Sequence, residues 1–599
     1  MWLELTCAIL GAAMATFLYD SFYKEPLQSL ATTINASYDY VIVGGGSAGC
    51  VLANRLSEDP DVTVLLIEAG GDDRGRDDIS TPAFYGRMLH TDVDWDYISV
   101  PQKHGFDDLV GKRVYFPRGR VLGGSSSTNY LCYVRGHPRD FDSWAEQGCD
   151  GWSYEDVLPY FFKLEGFVGG EFGDSALLGK DGALKIEHSN TLKLNEFLIN
   201  AARDLGFSLF DYMSGKGEGL SPLYTTTYRG ERYSTSRAYL HPVLTRTNLH
   251  VAVDSYVTRV ILEGSVAVGV DVIRRSKKEK VLAKTEVILS AGVFGSPKIL
   301  MLSGIGPRQH LRDLGIPVLV DLPVGDNLHD HVIFDYQVTL QKPVSRRITD
   351  FSNIWSKFQF HLFGTGVLSK PGHDYQMFVS TNNHSKELGW PDLQVLFPPV
   401  LWNTRVLRSL GFLEEVVQEA ARRDEVQYGL TCFAANLRPR SRGTFRLQSS
   451  DPFDDPLIDP NYFRDPKDVV TLLKGIDICK SLVQTPSLQS LGARPADGPS
   501  AACVGPNSPY DSEAYWTCMV RRRSVSYYHP VGTAKMGSAN DSTAVVDTTL
   551  RVRGISGLRV VDASVIPSIP SANTNAAVIM IAEKASDIIR ANRKSVTKQ

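Results

Sequence analysis

Asp39-Tyr-Val-Ile-Val-Gly-Gly-Gly-Ser-Ala-Gly-Cys50 is the most informative stretch of this 599-residue chain. Tyr38 to Val43 has the apolar character of a short buried strand, and Gly44, Gly46 and Gly49 follow it with G-x-G-x-x-G spacing. In such a turn the first glycine permits the bend, the second lets a pyrophosphate approach the backbone, and the third lets helix and strand pack closely. The pattern predicts a βαβ unit that binds a dinucleotide.

The residues after this turn support a nucleotide site. Val51 and Leu52 belong to the apolar face of a predicted helix, whose first turn at Ser47 would offer unpaired N–H groups to a phosphate. Glu68 ends a second apolar strand, Val62 to Ile67, at the spacing where an acid hydrogen-bonds an adenosine ribose. A plain βαβ turn that binds nothing is the alternative. The motif lies near the N-terminus and no second complete fingerprint follows, which favours a flavin over a nicotinamide.

Composition and charge exclude some classes of protein. Hydrophobic residues make up 43% of the chain and charged residues 22%, which is ordinary for a globular protein. The length predicts two interwoven domains rather than one simple core. A formal net charge of −4 and the lack of a long basic run argue against a nucleic-acid partner. We interpret the densest basic cluster, Arg521-Arg-Arg523, as a solvated loop or a local ion-pair site.

The N-terminal segment is consistent with secretion. Leu5 to Leu18 is almost free of charge, and Ala13-Met-Ala15 has the small-x-small form of a signal-peptidase site. The preceding residues lack Lys and Arg, and the apolar run is short for a bilayer span. A cleaved signal, a membrane anchor and a plain helix therefore remain open. N-x-S sequons at Asn35, Asn383 and Asn540 are compatible with a secreted or membrane-associated protein of the secretory pathway.

The eight cysteines are spread thinly along the chain. No C-x-x-C pair or Cys/His cluster has the spacing of a zinc site, so we expect no metal. Cys503 and Cys518 are close enough in sequence for a disulfide in a secreted protein, but connectivity cannot be read from sequence alone. Structural or buried thiols are the default interpretation for the cysteines.

Pro117-Arg-Gly-Arg-Val-Leu-Gly-Gly-Ser-Ser-Ser-Thr-Asn-Tyr-Leu-Cys-Tyr-Val-Arg-Gly136 is a second unusual segment. Adjacent glycines and a run of hydroxyls predict an exposed-backbone loop that wraps a polar ligand, with a flexible linker as the alternative. Further along, Val257 to Leu262 and the alternating valines between Val266 and Val272 predict a β-hairpin.

The C-terminal half combines one strand–helix unit, a weakly patterned region and a final helix. Glu286 to Gly292 predicts a buried strand that leads into a helix, with Ser296 as its cap. Residues 340–525 mix aromatic and charged stretches without a nucleotide signal, so we assign most of them to a cap or substrate domain. Leu558 to Asp562 predicts a strand, and Ala572 to Ile589 a helix docked on the first domain.

Several long motifs in this order resemble the glucose-methanol-choline (GMC) family of flavin oxidoreductases, and the resemblance covers Asp39 to about Ile589. The motifs are Gly44 to Glu68, Pro117 to Gly136, Ser290 to Pro307, Val324 to His331, His529 to Gly537 and Ser571 to Asn575. The Asn129-Tyr130 pair and the apolar N-terminus are more similar to the animal glucose-dehydrogenase-like branch than to microbial oxidases.

The resemblance implies an α/β fold in which a Rossmann-like FAD-binding domain is interwoven with a sheet-and-helix (α+β) substrate domain. We predict a signal or anchor segment and lead-in at 1–37. Residues 38–338 would be mainly FAD-binding domain and 339–525 mainly substrate or cap domain. Residues 526–599 would return to the FAD domain and carry the catalytic histidine.

The resemblance also implies a chemistry, in which an alcohol or sugar CH–OH group is oxidised by hydride transfer to flavin N5. His529 would be the base that takes the hydroxyl proton, and Asn573 would hydrogen-bond the oxygen as alkoxide character develops. Activity should then fall as His529 protonates, near the ordinary pKa of about 6.5. His329 and His331 recur in the family pattern, and we interpret them as structural.

Cofactor contacts follow from the same resemblance. Glu68 would bind the adenosine ribose, Gly124, Ser125 and Asn129 would lie near the pyrophosphate and isoalloxazine, the Val257 backbone at the adenine, and Asp562 and Ala563 near the ribityl and phosphates. Tyr528 would lie against the flavin or pack in the core, and Asn575 is a flavin contact or a turn residue. Some relatives attach FAD covalently through a histidine directly before the asparagine that matches Asn129. Thr128 stands there, so we expect non-covalent FAD.

The remaining alternatives concern partners and reaction class. The substrate is expected to be a small alcohol or sugar, and the electron acceptor oxygen, a quinone or another molecule, so oxidase and dehydrogenase are not separated. Membrane association through the N-terminus is possible. A cyanohydrin-type lyase, a photoenzyme or an inactive FAD-binding protein on the same scaffold are the competing hypotheses, since fold alone does not fix function.

Overall fold

The computed structural model describes residues 30–169, 176–188 and 192–596, together with Gly11. Apart from that glycine, the predicted signal or anchor segment at Leu5 to Leu18 lies outside the described residues. Within the described ranges, no helix combines the length and the apolar character needed to span a membrane. Two large sheets organise the structure, and the chain passes between them several times.

The first sheet contains the predicted nucleotide-binding unit. Its strands, in spatial order, are Leu249–Ala252, Val64–Ile67, Ser37–Val43, Lys277–Leu289, Val266–Arg274 and Ser255–Glu263, with Leu558–Val560 paired to Lys277–Leu289. The two strands predicted from the opening motif are parallel neighbours. Side chains such as Val41, Ile42 and Leu66 are fully buried, because a parallel sheet is covered on both faces. The predicted β-hairpin is confirmed, with the turn at Gly264.

Two helices cover the opening motif. Ser47–Leu56 follows the glycine turn directly, and the C-terminal helix Asn575–Val596 packs against it. Arg55 of the first helix donates hydrogen bonds to the buried carboxylate of Glu583 in the second. The C-terminal helix was expected to begin at Ala572, but it begins at Asn575, which leaves Asn573 in the preceding loop.

The second sheet is mainly antiparallel. Its strands, in spatial order, are Arg494–Pro495, Val332–Leu340, Tyr428–Asn436, Leu393–Leu396, Tyr375–Val379, Gly219–Pro222 and Ser208–Leu209, with Val525–Ser526 paired to Val332–Leu340. Helix Lys467–Gln484 packs against it. The strands of this sheet come from several separate stretches of the chain, and strands of the first sheet lie between them in sequence. The predicted α/β class with interwoven parts is therefore confirmed. The domain limits at 38, 339 and 526 stay predictions.

Shorter elements complete the fold. The other α-helices of six residues or more in the described ranges are Pro138–Glu146, Tyr154–Leu164, Leu194–Asp204, Gly292–Leu302, Arg308–Asp313, Ile354–Phe363, Thr404–Ser409, Glu414–Glu419 and Glu513–Arg523. A small sheet is formed by Cys132–Tyr133, Tyr224–Thr225, Leu184–His188 and Glu165–Phe167. The arginine cluster at 521–523 ends a helix and forms ion pairs with Asp108 and Glu419, which confirms the ion-pair interpretation.

The helix at Gly292–Leu302 corrects one expectation. It begins four residues before Ser296, so this serine lies inside the helix and is not its cap. Asp562 instead accepts a hydrogen bond from the Gly292 N–H, at 2.9 Å, and so caps the helix from a distant part of the chain. Pro297 lacks an N–H to donate to the Val293 carbonyl, and the hydroxyl of Thr533 donates to that carbonyl at 2.6 Å.

Four cysteines form two disulfides. Cys503 is bonded to Cys518, the pair whose spacing allowed it, and Cys432 is bonded to Cys479. The second bond joins strand Tyr428–Asn436 of the second sheet to helix Lys467–Gln484, and no local sequence pattern predicts it. Cys50, Cys132 and Cys149 are free and buried.

Candidate active site

One cavity of about 270 Å³ lies where the carboxyl ends of the parallel strands meet the second sheet. It lies at the strand-end position where open α/β sheets bind ligands. All but one of the site residues proposed from the sequence border it. They are Gly44, Gly46, Ser47, Glu68, Gly124, Ser125, Asn129, Val257, Tyr528, His529, Asp562, Ala563, Asn573 and Asn575.

Gly49 is the exception, because it does not border the cavity. A Cβ atom at this position would lie 1.9 Å from the carbonyl oxygen of Gly44. The residue therefore serves the packing purpose of the third glycine, which is to let the helix approach the turn.

The two glycine-rich segments meet backbone against backbone. Gly124 has φ +52°, and a Cβ there would lie 2.6 Å from the Cα of Gly46. The N–H of Gly123 donates to the Gly45 carbonyl at 2.7 Å. No side chain caps helix Ser47–Leu56, which leaves its first N–H groups to a ligand in the cavity. The arrangement fits a pyrophosphate, as the sequence predicts.

Glu68 is held at the end of its strand by backbone donors. Its two carboxylate oxygens accept hydrogen bonds from Gly45 N at 2.8 Å and Gly70 N at 2.7 Å. The side chain is buried, and desolvation raises its pKa to about 7 despite these hydrogen bonds. Each carboxylate oxygen keeps one acceptor position. An adenosine ribose, which brings two hydroxyl donors, fits this group.

The Asp562 side chain is fully hydrogen-bonded within the protein. Its carboxylate accepts hydrogen bonds from Gly292 N, Ser296 Oγ, Ser564 N and Ser564 Oγ, at 2.5–2.9 Å. These four donors use the four acceptor positions of a carboxylate. The side chain thus ties helix Gly292–Leu302 to the segment after the last strand. A ligand contact from this residue would come from its backbone.

Ser47 and Asn575 hold two helix N-termini together. The Ser47 hydroxyl donates to Asn575 Oδ1 at 2.7 Å, and both residues border the cavity. Asn575 is the first residue of the C-terminal helix. It is therefore a helix-start residue at the cavity wall, where the sequence left a flavin contact or a turn residue as alternatives.

His529 and Asn573, the predicted catalytic pair, are in contact. Asn573 Nδ2 lies 3.2 Å from His529 Nε2. The other ring nitrogen, Nδ1, lies 3.0 Å from Nδ1 of His331, and Nε2 of His331 lies 2.9 Å from the carbonyl oxygen of Leu437. The backbone N–H of His529 donates to Asp330 Oδ1 at 2.7 Å, so ring and backbone are both anchored.

This chain of contacts assigns the tautomer of His529. A carbonyl can only accept, so His331 must carry its proton on Nε2, and its Nδ1 is then an acceptor. His529 must therefore donate from Nδ1, which leaves its Nε2 lone pair facing Asn573 and the cavity. The sequence grouped His331 with the structural histidine His329. His329 is indeed satisfied by Asn327 O and Ile569 N, whereas His331 orients the catalytic candidate.

Asn573 is itself oriented by a residue that sequence reasoning missed. Gln394 Nε2 lies 3.5 Å from Asn573 Oδ1 and donates to Gln376 Oε1 at 2.7 Å. Both glutamine side chains are fully buried. Because the amide oxygen of Asn573 faces Gln394, its NH₂ group faces His529 and the cavity.

Tyr528 has an unusual backbone conformation for a non-glycine residue, with φ +64°. Arg118 Nη2 donates to its carbonyl oxygen at 2.6 Å, and Ser526 Oγ accepts from its N–H at 2.8 Å. Its ring packs near Tyr130 and borders the cavity. These bonds hold the strained residue that positions His529 next in the chain.

Among the described residues, one group of side chains could hold a metal ion: His90, Asp94 and Asp96. Protein contacts already occupy these groups. His90 Nδ1 lies 2.6 Å from Asp96 Oδ1, and Asp94 accepts hydrogen bonds from the N–H groups of His90 and Arg118. These contacts within the protein explain why the three side chains lie close together.

Comparisons with known proteins agree with this geometry. Two family models, each described as GMC oxidoreductase, match residues 38–333 and 439–582. Glucose dehydrogenase (FAD, quinone) of Drosophila pseudoobscura pseudoobscura is 36% identical, over 92% of this chain and 87% of its own. Mitochondrial choline dehydrogenase of Mus musculus is 37% identical, over 94% and 91%. The crystal structure of pyridoxine 4-oxidase from Mesorbium loti superimposes with a TM-score of 0.77 at 29% identity, covering 92% of this chain and 98% of that one.

Proposed function

This chain belongs to the GMC family of FAD-dependent oxidoreductases acting on CH–OH donors, and we propose that it oxidises a small alcohol or sugar with His529 as the base. The observation that carries the proposal is the Nε2 lone pair of His529, which faces Asn573 in the cavity shared with the dinucleotide turn. When bound, FAD supplies the acceptor for the hydride that leaves the alcohol carbon. The glycine turn, Glu68 and the uncapped helix start are the residues that would hold it.

The two catalytic candidates have different roles at the substrate oxygen. His529 Nε2 takes the hydroxyl proton, and Asn573 Nδ2 donates a hydrogen bond to the same oxygen as negative charge develops. The imidazolium that results keeps its Nδ1–H on His331, and a hydrogen bond from a charged donor is stronger than one from a neutral donor. Asn573 is buried, and His529 is partly exposed towards the cavity that both residues border.

The proposal also covers the electron acceptor and the location of the protein. Oxygen or a quinone would reoxidise the cofactor, as the names of relatives indicate for those proteins. We propose a secreted or secretory-pathway protein, because disulfides persist in oxidising compartments and two are formed here. Exposure of Asn35, Asn383 and Asn540, the three sequon asparagines, also supports it.

The test of the proposed function is the visible spectrum of purified protein under anaerobic conditions. Adding primary alcohols and sugars in turn should bleach the oxidised flavin bands, and admitting air should restore them rapidly only if the enzyme is an oxidase. A flavin spectrum that no alcohol bleaches would contradict the proposal. Cyanohydrin cleavage or light-driven turnover without bleaching would then indicate the lyase or the photoenzyme.

The pH dependence of this reaction should differ from the sequence expectation. Burial, with the positive charges of His331 when protonated and of Arg118, holds the pKa of His529 well below its ordinary value. The base is active when neutral, so it is lost only when the pH falls through this lowered pKa. We expect the rate of anaerobic flavin reduction at low substrate to stay constant from pH 8 to below 6.5 and to fall only under more acidic conditions. An acid limb centred at or above 6.5 would contradict this.

A further inference from the structure

The cavity wall opposite the nucleotide turn is almost free of polar groups. Residues 331–525 contribute five side chains to it: Ile333, His373, Leu396, Trp402 and Phe433. Trp402 and Phe433 pack with ring centroids 4.8 Å apart, and the Tyr527 ring lies 4.5 Å from that of His529. The end of the cavity near His529 is therefore an aromatic and aliphatic enclosure without a charged side chain from this region.

Such a wall discriminates against two classes of alcohol, the sugars and the alcohols that carry a quaternary ammonium group. A sugar hydroxyl that is buried without a hydrogen-bond partner weakens binding, and this wall offers few partners. A quaternary ammonium ion could use aromatic faces, but no carboxylate lines the wall from residues 331–525 to balance its charge. An uncharged alcohol with an apolar body fits best.

His373 is the polar exception within this wall. Its side chain is 2% exposed, and neither ring nitrogen has a hydrogen-bond partner. Burial, assisted by the charge of Arg346, lowers its pKa to about 3, so the ring is neutral and has one donor and one acceptor. Buried polar groups are nearly always paired. Both nitrogens are enclosed in this rotamer, so we infer that the ring turns towards the cavity that it borders when a ligand group pairs with it.

The ring of Tyr130 connects this histidine to the reaction centre. Its centroid lies 6.5 Å from that of His373 and 6.3 Å from that of Tyr528, the residue before His529. Tyr130 also borders the cavity. Because His373, Tyr130 and His529 all border this one cavity, we infer that an apolar substrate body lying along Tyr130 reaches both histidines.

We propose that the substrate is an uncharged alcohol with an apolar body and a second hydrogen-bonding oxygen, a hydroxyl or a carbonyl, which binds His373 while the reacting hydroxyl lies at His529 and Asn573. The inference rests on the proposed function and deepens it. It makes His373 a specificity-determining residue and predicts that bifunctional alcohols bind better than monofunctional ones of the same length.

The test measures binding without turnover. In FAD-loaded His529→Ala protein, calorimetry gives the dissociation constants of linear α,ω-diols from butane to decane and of the matching 1-alkanols. We expect the diol of best length to bind about 10-fold tighter than its alkanol, which corresponds to about 1.4 kcal/mol. Adding His373→Phe should abolish this preference and change alkanol binding less than about twofold, and His373→Gln, which keeps a donor and an acceptor, should restore part of it.

The outcomes separate this inference from the proposed function. If no diol binds better than its alkanol, or if His373→Phe keeps the preference, the role of His373 is wrong. Tighter binding of choline or glucose than of any alkanol or diol would overturn the substrate class. If the diol preference depends on His373 but no alcohol bleaches the flavin of the unmutated enzyme, the binding site stands and the proposed reaction fails. Unchanged alkanol affinity in the variants shows that they are folded.

Discussion

Replacing His529 with alanine should leave FAD bound and slow anaerobic flavin reduction by alcohol by about 10²–10⁴-fold, the range expected for losing a general base. The physical reason is the assigned tautomer, because Nε2 of His529 bears the lone pair that faces the cavity. Stopped-flow spectroscopy of flavin bleaching measures the rate directly. The flavin-to-protein ratio should stay near that of the unmutated enzyme, since the imidazole makes no contact with the glycine turn.

Two controls separate a base from a structural residue. Added imidazole should restore part of the rate in His529→Ala, because the truncated side chain leaves room for it at the same place. His361→Ala removes an exposed histidine and should leave the rate unchanged. Near-normal flavin reduction in His529→Ala would remove this residue as the base, and the proposed function would then need another proton acceptor.

The parts of this site that the sequence predicted are those whose signal is local. Gly44, Gly46 and Glu68 lie within one βαβ unit, so spacing alone indicated their roles. His529 and Asn573 are 44 residues apart, and only the resemblance to a family brought them together. The resemblance supplied their identity, and the structure adds their contact distance and the direction of each polar atom.

The parts that the sequence did not predict depend on long-range contacts. His331 and His529 are 198 residues apart and Gln394 and Asn573 are 179 apart, and neither pair has a pattern of its own. Long-range contacts also explain why helix Gly292–Leu302 does not begin at Ser296. Ser296 is a good local cap, but Asp562, 270 residues beyond Gly292, accepts the terminal N–H. Tertiary contacts thus replaced a local preference, as they also do in the disulfide between Cys432 and Cys479.

The second prediction with a large effect concerns the opening motif. Gly49→Ala should reduce bound FAD at least about 10-fold, because its Cβ would lie 1.9 Å from the Gly44 carbonyl oxygen. The glycine turn has little room to move away from this Cβ. Gly44 N donates to Ile67 O at 2.8 Å, and a Cβ on Gly44 would already lie 2.4 Å from Ser290 O. Overpacking of this kind typically costs 1–3 kcal/mol or more, and here the displaced atoms form the predicted pyrophosphate site.

The measurement is the flavin released by acid from a known amount of purified protein, and circular dichroism shows whether the variant is folded. Gly86→Ala is the matched control, because a Cβ there meets nothing within 4 Å, and it should bind FAD normally. Flavin left in the acid pellet of the unmutated protein would contradict the non-covalent attachment expected from Thr128. Normal flavin content in Gly49→Ala would mean that the helix can shift away from the turn. The close approach of helix Ser47–Leu56 to the glycines would then not be what forms the cofactor site.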